Sequence, residues 1–167
     1  MNRQRIIILM GSKSDLSFAQ RIGSFIEREG FKVEYDYAVS SAHRTPDHLI
    51  NKLRDLEGSR DRIVIITVAG LSDALSGFVA GFSTYPVIAC PPDVERGGFA
   101  KIFSTVMTPT GVPVLLSTKP ENAALAAVKI LSLADPSLRP RIREYINKKR
   151  EEVIGADMEV SGGGKGE

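Results

Sequence analysis

Arg5-Ile6-Ile7-Ile8-Leu9-Met10-Gly11-Ser12-Lys13-Ser14-Asp15 decides the fold. Ile6 to Met10 is apolar without polar alternation, which predicts a central parallel strand covered on both faces. Gly11 breaks the run, and Phe18, Ile22, Phe25 and Ile26 then recur at helical spacing until Gly30 stops them. A small-residue turn between a first strand and a helix is a ready anion or sugar site, because free N–H groups and the helix dipole favour negative charge. The position of Lys13 fits neither the P-loop nor the dinucleotide fingerprint. The simpler account of Ser14 or Asp15 is a plain helix cap.

Working outward, strand and helix keep alternating. Phe31 to Val39 alternates as a second strand and leads through Ser40-Ser41-Ala42-His43-Arg44-Thr45-Pro46 into a helix ending near Leu56. Arg62 to Ala69 is a third strand, apolar on both faces, followed by Gly70-Leu71-Ser72-Asp73-Ala74-Leu75-Ser76-Gly77-Phe78 and a small-residue helix. Pro86 to Cys90 reads as a fourth strand, Asp93 to Gly98 as loop and Phe99 to Met107 as helix. Gly111 to Leu116 reads as a fifth strand, Glu121 to Leu133 as helix, and Leu138 to Ile154 as a charged amphipathic last helix. This order predicts one α/β domain over residues 1–160: a three-layer, doubly wound, flavodoxin-like parallel sheet. Residues 161–167 read as a flexible tail. Ile142, Tyr145, Ile146 and Val153 on the last helix need a cover, for which a neighbouring subunit is the natural candidate.

Composition narrows the function classes. The 167 residues are 43% hydrophobic and 25% charged, ordinary for a soluble globular chain. The formal charge is +2, and the one basic run, Lys148-Lys149-Arg150, meets Glu151-Glu152 at once, so no nucleic-acid surface is indicated. One cysteine excludes an internal disulfide, and two histidines with that cysteine make a protein-only zinc site a poor fit. Ile6 to Met10 is too short for a signal peptide, and no stretch is long enough for a membrane helix. The expected location is the cytoplasm.

In a parallel sheet the carboxyl ends of the strands share one edge, where ligands bind. Three polar turns meet there: Gly11 to Asp15, Ser41 to Thr45 and Gly70 to Ser76. The second brings hydroxyls, an imidazole that moves protons near neutral pH, and a guanidinium that presents a planar fork to phosphate. Its plain alternative is helix capping, with Pro46 in the first turn.

These residues resemble the PurE family of purine biosynthesis, from Ile6 to the last helix. Met10-Gly11-Ser12-Lys13-Ser14-Asp15 is similar to the family's Gly-Ser-x-Ser-Asp motif, and Ser41-Ala42-His43-Arg44-Thr45-Pro46 to its Ser-Ala-His-Arg-Thr-Pro motif. Class I members are mutases that move a carboxylate within N5-carboxyaminoimidazole ribonucleotide. Class II members are carboxylases (lyases) that join aminoimidazole ribonucleotide to carbon dioxide. Class I carries a second histidine in an Ala-Ala-His-Leu-Pro-Gly pattern; here Ala74 stands at that histidine and Ser76 at the proline. Ala69 to Phe78, Ile88 to Pro92 and Pro120 to Ala124 are closer to class II. Arg44 follows class I instead, and Leu71 and Asp73 replace the arginine and asparagine usual in class II.

The resemblance implies reversible carboxylation of aminoimidazole ribonucleotide at an enamine carbon, needing no metal, biotin or ATP. It implies His43 as the base that removes the ring proton. Gly11, Ser12, Ser14 and Asp15 are then expected on phosphate and ribose, Arg44 on phosphate, Ser41 and Ala42 against the ring. Gly70 and Ser72 would hold the carbon dioxide or carboxyl group, Ala69 is expected among the substrate-binding residues, and Asp73 could orient a donor. A homo-oligomer, octamer or tetramer, is implied. The mutase is the alternative, and a non-catalytic flavodoxin-like nucleotide-binding module is a second. His48 reads as a helix-surface residue and Cys90 as inert packing.

Overall fold

In the computed structural model, which describes residues 2–94 and 100–162, successive residues of the first strand point into two different cores. This strand, β1 (Gln4–Met10), sends Ile6, Ile8 and Met10 one way and Ile7 and Leu9 the other. All five are almost fully buried, as a strand covered on both faces requires. β3 (Arg62–Val68) behaves the same way, with Val64, Ile66 and Val68 opposite Ile63 and Ile65.

The first core is closed by α1 (Leu16–Arg28) through Ala19, Ile22, Phe25 and Ile26, and by α5 (Pro120–Ala134) through Ala123, Ala124, Ala127, Val128 and Leu131. The second is closed by α2 (Pro46–Glu57) through Leu49 and Leu53, and by α3 (Ala74–Phe82) through Leu75, Val79 and Ala80. The remaining strands are β2 (Glu34–Val39), β4 (Val87–Ala89) and β5 (Leu115–Leu116). Every pairing is parallel and the order is β2-β1-β3-β4-β5. The winding reverses between β1 and β3, and at such a switch point a crevice opens outside the strand ends. The doubly wound expectation therefore holds.

Element ends differ from expectation by three residues or more in three places. The second strand begins at Glu34 rather than Phe31, because Phe31 N–H returns to Ile26 O at 3.0 Å and closes the end of α1 after Gly30 (φ 65°). The fifth strand shrinks to Leu115–Leu116. Gly111 (φ 92°) and the Val112 N–H bond to Pro109 O make a turn there, and Pro113 offers no donor to a ladder. The last helix, α6 (Arg139–Gly162), runs eight residues past Ile154, since Gly155 is followed by helix formers.

Only the start of α6 is docked. Ile142 is buried, Tyr145 meets Phe25 edge-on at 5.4 Å, and Arg141 and Lys148 reach the buried Glu29. Beyond that, Val153, Ile154 and Met158 lie exposed. Among the described residues no helix is long and apolar enough to cross a membrane. The expected loop Asp93 to Gly98 and the start of the helix at Phe99 fall mostly on residues 95–99, outside the described ones, as do residues 163–167 of the expected tail. The helix that follows, α4 (Ala100–Val106), packs beside α3.

Candidate active site

The first loop is shaped by its own hydroxyls. Gly11 N–H donates to Val68 O at 2.9 Å, extending the β1–β3 register past the strand and tying the loop to the switch point. Ser12 is extended, and its Oγ accepts the Ser14 N–H at 3.3 Å, capping the 3-10 turn Lys13–Asp15. The Asp15 carboxylate makes no cap bond to α1. Burial holds it above the usual carboxylate range, while a bond from Ser12 and the charge of Lys101 pull it back.

The second loop is bonded almost wholly to itself. Thr45 N–H donates to Ser41 O at 3.0 Å, Ser41 N–H donates to Thr45 Oγ1 at 3.1 Å, and Arg44 N–H donates to Ser41 Oγ at 3.2 Å. Pro46 takes the first turn of α2, as the capping account expects, but Thr45 occupies the N-cap position without a side-chain cap bond, its hydroxyl being turned back to Ser41. The tight loop leaves His43 and Arg44 facing out. Arg44 Nη2 reaches Gly11 O at 3.4 Å and bridges the first two loops. His43 is exposed and makes no hydrogen bond among the described residues.

The third loop turns on Leu71, whose φ of 57° lies in the left-handed region and whose side chain is 81% exposed. Its N–H donates to Asp93 Oδ2 at 3.0 Å. Gly70 lies so close beneath that carboxylate that a Cβ there would stand 3.1 Å from Oδ2. Asp93 also pairs with Lys101 of α4. Burial lowers the Lys101 ammonium from the usual lysine range, against the raising effect of Asp15 and Asp73.

The loops enclose a cleft of about 1180 Å³. Gly11, Ser12, Ser14, Asp15, Ser41, Ala42, His43, Arg44, Ala69, Gly70 and Ser72 all line it. Asp73 does not line it. It is 3% exposed, caps α3 by accepting the Ser76 N–H at 3.0 Å, and accepts the hydroxyls of Ser76 at 2.6 Å and Thr105 at 2.8 Å. His48 is exposed on α2 away from the cleft, and the buried Cys90 thiol is pushed up to about 12, chiefly by burial.

Sequence reasoning missed the far wall. Pro91, Pro92 and Asp93 follow β4; Thr118, Lys119 and Glu121 follow β5; and Arg21 of α1 pairs with Glu121 at 3.1 Å. The signal was the parallel sheet itself, since the rule that gathers three strand ends on one edge gathers all five. The cleft thus offers backbone donors and hydroxyls at one end, a guanidinium beside them, and one exposed imidazole on the rim. That set can bind an anion and exchange a proton with a bound molecule.

A family model described as AIR carboxylase matches residues 5–152. Phosphoribosylaminoimidazole carboxylase of Archaeoglobus fulgidus is 39% identical over 93% of this chain and 84% of its own length. N5-carboxyaminoimidazole ribonucleotide mutase of Methanocaldococcus jannaschii is 36% identical over 93% of this chain and 96% of its own. The crystal structure of Treponema denticola PurE superposes with a TM-score of 0.88 at 38% identity, over 95% of this chain and 99% of that one.

Proposed function

Because this chain belongs to the AIR carboxylase family, we propose that it carboxylates aminoimidazole ribonucleotide with carbon dioxide, reversibly, in purine biosynthesis. The substrate's phosphate and ribose lie on Gly11, Ser12, Ser14 and Asp15, with Arg44 closing on the phosphate. The aminoimidazole ring faces Ala42 and His43. Carbon dioxide lies against Ala69, Gly70 and Ser72.

The ring carbon beside the amine is an enamine carbon. Its electron pair forms the new C–C bond while one C=O bond of carbon dioxide opens to carboxylate. The ring carbon then holds both a proton and the carboxylate. His43 takes the proton, the C–H electrons restore the aromatic ring, and the imidazolium returns its proton to solvent. In reverse the imidazolium protonates the same carbon. A neutral imidazole suits both directions near neutral pH. Holding a small uncharged gas against the carbon supplies several kcal/mol by positioning alone.

The observation that carries this reading is the exposed His43, free of hydrogen bonds among the described residues, on the rim of a cleft walled by the loops of β1 and β3. The choice of carboxylase rests on the third loop. Where the mutase pattern has a second imidazole this chain has Ala74, and Ser76 is buried with its hydroxyl 2.7 Å from Thr67 Oγ1. The mutase reading keeps one support, the Arg44-Thr45-Pro46 run. The exposed Ile146, Val153, Ile154 and Met158 on α6 support burial against another copy in a homo-oligomer, octamer or tetramer. The buried lone thiol fits the reducing cytoplasm.

The deciding experiment supplies aminoimidazole ribonucleotide with dissolved carbon dioxide or bicarbonate. Product formed without the N5-carboxylated compound supports the carboxylase; strict dependence on that compound assigns the mutase. Thermal stabilisation by flavin mononucleotide but not by the ribonucleotide would assign a non-catalytic module instead.

A further inference from the structure

Three residues of α4 share one helix face and hold the third loop at Leu71 and Asp73. Lys101 pairs with Asp93, whose Oδ2 accepts the Leu71 N–H at 3.0 Å. Ser104 Oγ accepts the Asp73 N–H at 3.1 Å, and Thr105 Oγ1 donates to Asp73 Oδ2 at 2.8 Å. The spacing i, i+3, i+4 puts all three side chains on the same side of the helix. Leu71 is thereby fixed with φ 57°, a conformation uncommon outside glycine and asparagine.

The geometry points to Asp93 and Lys101 as a neutral clamp that positions the Gly70–Ser72 loop for the carboxyl group. Asp93 does the holding: it bonds the Leu71 N–H, and Gly70 packs directly beneath its carboxylate. A lone carboxylate on that wall would repel a ligand carboxylate across a partly dry cleft. Lys101 cancels its charge from behind. The ammonium does not line the cleft, and both Lys101 Nζ and Asp93 Oδ1 are buried without a hydrogen-bond partner among the described residues. Asp93 is the carboxylate paired with that ammonium, and a buried charge deprived of its partner is strongly unfavourable. The two are positioning residues that act through the backbone of the third loop and through the field at the carboxyl subsite. The proposal rests on the carboxylation reading for the identity of the ligand, but not for the clamp itself.

The test compares wild type, Lys101→Met and the Asp93→Asn/Lys101→Met double variant, titrated with aminoimidazole ribonucleotide and with its 4-carboxylated product. Lys101→Met weakens the carboxylated nucleotide about ten-fold or more beyond any loss for the uncarboxylated one, because only the former brings a carboxylate to the unmasked Asp93 charge. The double variant brings product affinity back to within about three-fold of wild type. Equal losses for both nucleotides, or a double variant no better than the single one, overturn the proposal. Leu71 amide exchange reads the clamp without any ligand: it accelerates about ten-fold or more in Asp93→Ala and in Lys101→Met if the bond is held as described. Unchanged exchange in both variants refutes the clamp. Wild type that binds neither nucleotide refutes the carboxylation reading, and leaves the clamp to be judged by the amide.

Discussion

Replacing Asp73 by alanine separates a loop-building carboxylate from a ligand-binding one. Asp73 is 3% exposed and accepts three hydrogen bonds, from Ser76 N–H, Ser76 Oγ and Thr105 Oγ1. The Ser76 hydroxyl has another acceptor, Thr67 Oγ1 at 2.7 Å, and can turn to it. The Ser76 N–H sits in the first turn of α3 and Thr105 is fully buried, so both lose their acceptor. At about 1–3 kcal/mol for each orphaned buried donor, offset in part by no longer desolvating a carboxylate, Asp73→Ala costs about 2–4 kcal/mol. For a domain of this size that lowers Tm by about 6–12 °C. Asp73→Asn keeps the acceptor for Ser76 N–H and turns its amide towards two hydroxyls that can accept, so it costs about 1 kcal/mol. Urea unfolding at fixed protein concentration measures the loss, and ribonucleotide titration of the folded variants measures binding. The reasoning fails if Asp73→Ala leaves stability within about 0.5 kcal/mol of wild type but weakens the nucleotide ten-fold or more.

Two further perturbations address other parts of the account. Arg44→Ala removes the guanidinium that joins the first two loops at the proposed phosphate position. It lowers ribonucleotide affinity by about 10- to 100-fold, measured by titration, with little change in bound-state turnover; unchanged affinity moves the phosphate elsewhere. Burial raises the Glu57 carboxyl, but bonds from Ser83 and Thr84 outweigh it and leave it below the ordinary range. Its folded pKa is thus below its unfolded one, so its contribution is present above the unfolded pKa and is lost as pH falls through the folded one. Glu57→Gln is therefore less stable than wild type near neutral pH, and the gap in unfolding midpoint closes as pH falls through the lowered folded-state pKa; a constant gap contradicts this.

How much the sequence disclosed varied with the kind of signal. β1 and β3 were legible because a strand buried on both faces has a composition of its own, seen in Ile6 to Met10 and Ile63 to Val68. β5 was overextended because Val112 and Val114 look strand-like, whereas Pro113 and the turn at Gly111 interrupt the ladder. Asp73 reads as a binding group because it is a carboxylate at a strand end, whereas the structure uses it to cap α3. The competing signal was present: Asp73 precedes a helical run, and Asp is a favoured N-cap. Asp93 and Lys101 left no trace, since their pairing depends on where α4 packs and not on local pattern. Eleven of the twelve candidate site residues line one cleft because the parallel sheet, once inferred, fixes which loops are neighbours.

In the proposed chemistry one imidazole moves one proton at the ring carbon. His43→Asn tests it most directly, in single-turnover carboxylation alongside nucleotide titration. The account predicts a chemical step slowed by about 10²- to 10⁴-fold with ribonucleotide affinity nearly unchanged. A step that proceeds at close to the wild-type rate in His43→Asn would contradict it.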